Sequence, residues 1–381
     1  MKKVRKFLIV LLCFMIGGVG AFFALIKTEL KHGEEKRAQS AEEEEYWKIV
    51  EKIEGMTLDE KIGQLLFVRV PAENASLAIK KYNFGGYILF DRDLQGQTLE
   101  SVAEEVKTWQ EASKTPMFIG IDEEGGVVSR LSYNGFADFG SPQELFSEGG
   151  FELQKDAEIK KIELLRKIGV NVNFAPVVDT CTNENAFIYD RSFGRDAEKT
   201  AEFAENIVKS YDGSGISATL KHFPGYGDNA DTHFGIAIDE RSLEEFEGSD
   251  FLPFKAGIEA GADFVMFSHN IIKNVDGDNP ASLSKELHRI LAEDLGFQGI
   301  MITDDLSMDA VNSFYNGAYE KEVQAVLAGN NMLLVSDYES AFQNIKDAVE
   351  NEVLSEQEIE EAIWPVLIKK NGSTIFGSIN V

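Results

Sequence analysis

"ISATLKHF", residues 216–223, starts apolar and β-branched and finishes on Lys221 and His222. A short run of this kind reads as a buried strand whose last residues emerge at a sheet edge. The same shape recurs along the chain in "GQLLFVRV" (63–70), "GGYILFD" (85–91), "PMFIGID" (116–122) and "VNVNFAPVVD" (170–179). It returns in "ADFVMFSH" (262–269), "GIMITDD" (299–305) and "NMLLVSD" (331–337). Between these eight runs lie stretches of helical period such as "LESVAEEVKTWQEAS", "KDAEIKKIELLRKIG" and "KTAEFAENIVKSYDGSG", several ending at glycine. Capping boxes are expected at Thr57 with Glu60, Ser242 with Glu245 and Ser355 with Glu358. Strands alternating with helices imply a parallel sheet, and eight repeats close a (β/α)8 TIM-type barrel. A doubly wound open sheet would normally carry a glycine-rich dinucleotide turn after an early strand, and none occurs.

The polar residues sit where such a barrel needs them. The runs finish on Asp91, Asp122, Asp179, Lys221–His222, Ser268–His269, Asp304–Asp305 and Ser336–Asp337. In a barrel these ends converge on one face, where active sites are built. Turn chemistry explains any single Asp or Ser there. It explains less well a series that includes Lys-His and Asp-Asp.

Composition narrows the chemistry. The 381 residues are 44% hydrophobic and 27% charged with only 8 prolines, as expected of a folded chain. A formal charge of −28 repels phosphate backbones, so nucleic acid is not an expected partner. Two cysteines, Cys13 and Cys181, make no disulfide framework and no zinc site. Histidine pairs at metal-ligand spacing and a G-x-S-x-G elbow are both missing, and "DEEGG" (122–126) sets two acids where a phosphate loop would need none. No metal or organic cofactor is expected.

Carboxylate chemistry fits better. Asp304 stands where a strand would deliver it into the mouth, suited to attack or stabilise an anomeric carbon. The polar segment "KHFPGYGDNADTH" (221–233) offers a proton donor: Asp231, two residues before His233, can fix its tautomer and leave the other nitrogen to exchange a proton. Lys221 and His222 are suited to donating hydrogen bonds to sugar hydroxyls.

"KHFPGYGDNADTH" and "GIMITDDLSM" (299–308) resemble the two signature segments of glycoside hydrolase family 3, specifically its single-barrel β-N-acetylhexosaminidases. The resemblance runs from "MTLDEKIGQLLFV" to the last strand. It implies that Asp304 is the nucleophile with Asp305 beside it, and that His233 is the acid/base with Asp231 its dyad partner. It implies that Asp122 and Arg130 of "IDEEGGVVSR", Arg191 of "DRSFGRD", and Lys221 and His222 bind the sugar. His269 of "MFSHN" matches a position lining the same site. The implied activity is a retaining exo-β-N-acetylglucosaminidase acting through a covalent intermediate on a carbohydrate substrate. Phosphorolysis, β-glucosidase specificity and a catalytically weak glycan-binding module are the alternatives. The sequence departs from the family pattern at Tyr226, where a histidine is usual, and at Glu123, where Gln is common. Tyr226 is expected to alter loop packing without loss of activity.

The ends of the chain are organised differently. "MKKVRK" is followed by an uncharged run over 7–26, and about twenty residues at ~1.5 Å each span roughly 30 Å of bilayer. Residues 1–6 are expected to be a cytoplasmic basic tip, 7–26 an uncleaved transmembrane anchor, and 27–45 a charged tether. The catalytic domain is expected over 46–381, outside the cytoplasm, and a cleaved signal peptide is the competing reading. Pro365 is expected to kink or break the last helical segment. Oligomeric state and natural glycan are not written in the sequence.

Overall fold

A computed structural model describes residues 41–227, 235, 237–308, 311, 317 and 319–371. Asp231, His233 and the 7–26 run lie outside the described residues. Among the described residues, no helix is long and apolar enough to cross a membrane.

All eight runs form parallel strands of one sheet: β1 Leu66–Arg69, β2 Gly86–Leu89, β3 Phe118–Ile121, β4 Val172–Asn173, β5 Ser217–Phe223, β6 Phe264–Phe267, β7 Ile300–Thr303 and β8 Leu333–Val335. Their order in the sheet is β7-β6-β5-β4-β3-β2-β1-β8, the sequential order of a barrel opened at one seam. That seam, between β7 and β8, is narrowed by a parallel bridge from Ile302 to Met332. Leu334 N–H also donates to Thr303 Oγ1 at 3.1 Å, and Leu306 N–H to the Leu334 carbonyl at 3.0 Å. The sheet is therefore nearly closed rather than fully laddered.

The fourth run is the most fragmented. Its regular ladder covers Val172–Asn173 alone, because Pro176 has no N–H to give. Backbone bonds from Phe174 to Ile121 and from Val178 to Lys221 carry the chain onward at 2.8 Å each.

Inside the barrel, Phe67, Phe118, Phe174, Phe264, Met266, Ile302 and Leu334 pack together with almost no exposure. Gly120 makes room for two of these rings. A Cβ there would lie 2.7 Å from Phe174 and 2.8 Å from Phe67, so any side chain would displace the inner layer. At the strands' N-terminal end the barrel is plugged by Lys370. Its Nζ donates to Gln64 Oε1 and to the Gly85 carbonyl, each at 2.7 Å, and lies 4.9 Å above the Phe118 ring. Burial, with a small contribution from the Lys52 charge, pushes this amine well below the ordinary lysine range.

Helices cover the outside, and the three expected capping boxes form. Thr57 and Glu60, Ser242 and Glu245, and Ser355 and Glu358 each exchange reciprocal bonds. One expectation is corrected. The last helix, Glu356–Asn371, runs through Pro365 without a break. Buried Ile359, Ile363, Val366 and Leu367 on both sides of the proline hold it against the core. A helix spans Ala41–Glu54, and its first residues belong to the charged segment 27–45.

Candidate active site

The carboxyl ends of the strands gather the charged residues into two tiers. Asp122, Arg130, Arg191 and Asp304 are partly exposed. Beneath them lie Glu124, Asp179, Lys221 and His222, all buried.

The lower tier begins at the end of β5. There the register against β6 shifts between Lys221 and Phe223, an irregularity that lets consecutive residues serve the same site. Lys221 Nζ lies 2.8 Å from Asp122 Oδ1 and 2.7 Å from Glu124 Oε1. His222 Nδ1 lies 2.7 Å from Asp179 Oδ2, and Arg191 Nη2 lies 3.2 Å from His222 Nε2. A guanidinium can only donate, so Nε2 accepts and Nδ1 carries the proton toward Asp179. Asp179 also receives the backbone N–H of His222 at 3.2 Å and of Tyr226 at 2.8 Å.

Glu124 joins the tiers. Its carboxylate takes Arg191 in two-point fashion, Nε to Oε2 at 3.0 Å and Nη2 to Oε1 at 2.8 Å, while sharing Oε1 with Lys221. Burial would push this carboxyl up, but the Arg191 and Lys221 charges outweigh it and hold it far below the ordinary glutamate range. Burial likewise works against the charges on Arg191 and Lys221. Glu124, Asp122 and Asp304 outweigh it at Arg191, and Asp122 and Glu124 do so at Lys221, so both cations are held protonated.

In the upper tier, Asp122 lies between two cations. Its Oδ2 is 3.4 Å from Arg130 Nη2, and Arg130 Nη1 reaches Asp91 Oδ2 at 3.0 Å. Asp304 follows β7 directly. Its backbone N–H donates to the Phe267 carbonyl at 2.9 Å, and its Oδ1 accepts the Asp305 N–H at 2.8 Å. Asp305 is turned elsewhere, its carboxylate taking Ser307 N–H at 2.8 Å and the Ser336 hydroxyl at 3.0 Å.

The structure thus brings together Asp122, Arg130, Arg191, Lys221, His222 and Asp304. Lys221 and His222, 1% and 2% exposed, brace Asp122 and Arg191 from below. His269 is fully buried, with Nδ1 at 2.7 Å from Ser282 Oγ and Nε2 at 3.0 Å from the Asp305 carbonyl. It borders the backbone of Asp305, the residue after Asp304. Asp337, read as part of the mouth, caps the helix Tyr338–Glu350 through Ser340 N–H.

Sequence reasoning missed Glu124 and gave Asp179 no role. The available signal was "DEEGG" itself, whose second glutamate was read only as hostile to phosphate. The hairpin Glu123–Gly125 and Val128–Ser129 aims Glu124 inward, and it needs Gly125 at φ 91°, where a Cβ would meet the Gly140 carbonyl at 2.7 Å. Glu123 points the other way, accepting bonds from the Ser129 hydroxyl and, at 2.8 Å, from Leu131 N–H. Its departure from the usual Gln therefore concerns loop structure. Tyr226 is buried, with its ring edge-on to Phe187 at 4.9 Å and to His222 at 5.1 Å between centroids. It is a packing residue beneath the site.

Comparison with known proteins agrees with this architecture. The model of the family described as "Glycosyl hydrolase family 3 N terminal domain" matches residues 57–368. A "Beta-hexosaminidase" of Xanthomonas campestris pv. campestris is 36% identical over 269 residues, covering 68% of this chain and 80% of the relative. A glycoside hydrolase family 3 β-N-acetylglucosaminidase from Paenibacillus sp. superposes with a TM-score of 0.79 at 32% identity. That match covers 86% of this chain and 64% of the Paenibacillus protein, which is therefore the longer of the two. A β-N-acetylhexosaminidase from Beutenbergia cavernae superposes at TM-score 0.72 and 27% identity, covering 83% of this chain and 99% of that one. A mouth of strand-end acids braced by Lys221 and Arg191, on a nearly closed eight-stranded parallel sheet matched over this length, leaves one assignment: the chain belongs to glycosyl hydrolase family 3 and is a glycoside hydrolase.

Proposed function

We propose that this chain is an exo-acting, retaining β-N-acetylglucosaminidase that removes terminal β-linked N-acetylhexosamine from glycans, cell-wall fragments among them. The observation that carries the reading is the placement of Asp304 at the end of β7, on the face where Glu124 and His222 orient Arg191, whose charge the Asp304 carboxylate favours. Asp304 attacks the anomeric carbon and displaces the leaving oxygen, which takes a proton from His233 held by Asp231. A glycosyl–Asp304 ester forms; water, deprotonated by His233, then releases the sugar and restores the carboxylate. Asp122, Arg130 and Arg191 hold the ring hydroxyls and acetamido group, while Lys221 and His222 fix the two residues that touch them. The names of the Xanthomonas and Paenibacillus relatives support this substrate class. No metal enters the scheme.

The same reading places the catalytic domain outside the cytoplasm, tethered by the apolar segment 7–26. The mechanism is tested by rapid mixing with an aryl β-N-acetylglucosaminide and mass spectrometry of the quenched protein. A single sugar adduct on the peptide containing Asp304, and a product released first as the β-anomer, are expected. An α-anomer product would remove the retaining mechanism.

A further inference from the structure

We infer that His269 is a positioning residue for the nucleophile, acting through the peptide that follows it. The inference rests on the reading of Asp304 as nucleophile.

The geometry is a chain of three hydrogen bonds. A backbone carbonyl only accepts, so His269 Nε2 carries the proton donated to the Asp305 carbonyl at 3.0 Å. Nδ1 then accepts from the Ser282 hydroxyl at 2.7 Å. At the other end of residue 305, the backbone N–H donates to Asp304 Oδ1 at 2.8 Å. The imidazole therefore grips one end of the residue whose other end holds the attacking carboxylate.

Each support is itself fixed. Ser282 N–H donates to the Ser268 carbonyl at 3.0 Å, and the Ser282 carbonyl accepts from Asn330 Nδ2 at 2.7 Å. His269 and Ser282 are both fully buried, so neither presents an atom to a ligand in the mouth. Asp304 N–H is tied to Phe267 on β6, next to the segment that carries His269. Strands β6 and β7 thus deliver both ends of one clamp. A carboxylate that must meet an anomeric carbon in line gains from such a clamp, since an error of about 1 Å in placement costs on the order of 100-fold in rate.

The test is steady-state kinetics of the full chain on an aryl β-N-acetylglucosaminide, with His269→Phe, His269→Gln, Ser282→Ala and Asp304→Asn. His269→Phe is expected to lower kcat by about 10–100-fold while KM stays within about 3-fold. His269→Gln, whose terminal amide can donate at similar reach, is expected to recover kcat to within about 5-fold of wild type. A KM raised about 10-fold at unchanged kcat would make His269 a sugar contact and overturn the inference. Unchanged kcat with only a lower Tm would make it scaffolding and overturn it equally. Should His269→Phe fail to fold, Ser282→Ala decides: a fall of about 3-fold in kcat at constant KM supports the clamp, and wild-type kinetics refutes it. Asp304→Asn separates the two levels. Full turnover there refutes the nucleophile assignment itself, whereas a dead Asp304→Asn beside a fully active His269→Phe refutes the clamp alone.

Discussion

Arg191 and Glu124 face each other across 67 residues of chain as a two-point ion pair, with donor–acceptor distances of 3.0 and 2.8 Å and the carboxylate buried. The pair costs solvation on both sides, and Lys221 sharing Glu124 Oε1 makes the lower tier a single charged unit. Such a unit orients Arg191, the cation proposed to face the sugar, and its removal affects stability and rate together.

Glu124→Gln is accordingly expected to lower kcat/KM by about 100-fold and unfolding stability by about 3 kcal/mol, because buried Lys221 and partly exposed Arg191 lose their shared counter-charge. Urea unfolding and steady-state kinetics measure the two effects. The pH dependence has a definite sign. The Glu124 carboxyl titrates far below its ordinary value of 4.5, so its contribution is fully present above pH 4.5 and is lost as acid approaches the folded-state value. The variant should show a shallower acid limb than the wild type; parallel limbs would contradict the assignment.

His233→Ala is expected to lose activity unevenly. With an aryl leaving group that needs no proton, the first displacement should fall far less than with a poor one, a gap of about 100-fold or more. A series of aryl β-N-acetylglucosaminides measures it. Equal losses along the series would remove His233 as the acid.

Lys370 meets two neutral oxygens and an aromatic face, and burial depresses its pKa. Between that depressed value and the ordinary 10.5, the unfolded chain binds a proton that the folded chain does not, so this residue makes stability rise with pH through that window. Lys370→Met is expected to abolish that rise while remaining folded and active. Denaturation at neutral pH and near pH 10 detects the difference, and an unchanged alkaline slope would count against it.

The anchor proposed for residues 7–26 predicts that the intact chain sediments with membranes and resists salt extraction, whereas a chain beginning at residue 27 is released. Recovery of the full-length chain in the soluble fraction would exclude the anchor.

Barrel topology was legible from the chain alone because its signal is local and repeated. Each strand announces itself by an apolar run, each helix by period and cap, and eight repeats permit few closures. The residues at the strand ends, Asp122, Lys221, His222 and Asp304, were legible for the same reason. What each of them does there was not. Lys221 and His222 are buried against Asp122 and Arg191, His269 meets the Asp305 carbonyl, and Asp337 caps a helix. Glu124, lying in a hairpin, belonged to no strand end and gave no periodic sign.

The order of strands and the identity of the charged residues at their ends were thus determined by sequence, since hydrophobic period and turn chemistry act over a few residues. Which cation meets which carboxylate was decided only by the tertiary structure. Those pairings join residues 67 and 99 apart in the chain, as Arg191 with Glu124 and Lys221 with Asp122 do. Their energy depends on burial and on distances of a few ångströms, and no local pattern encodes either.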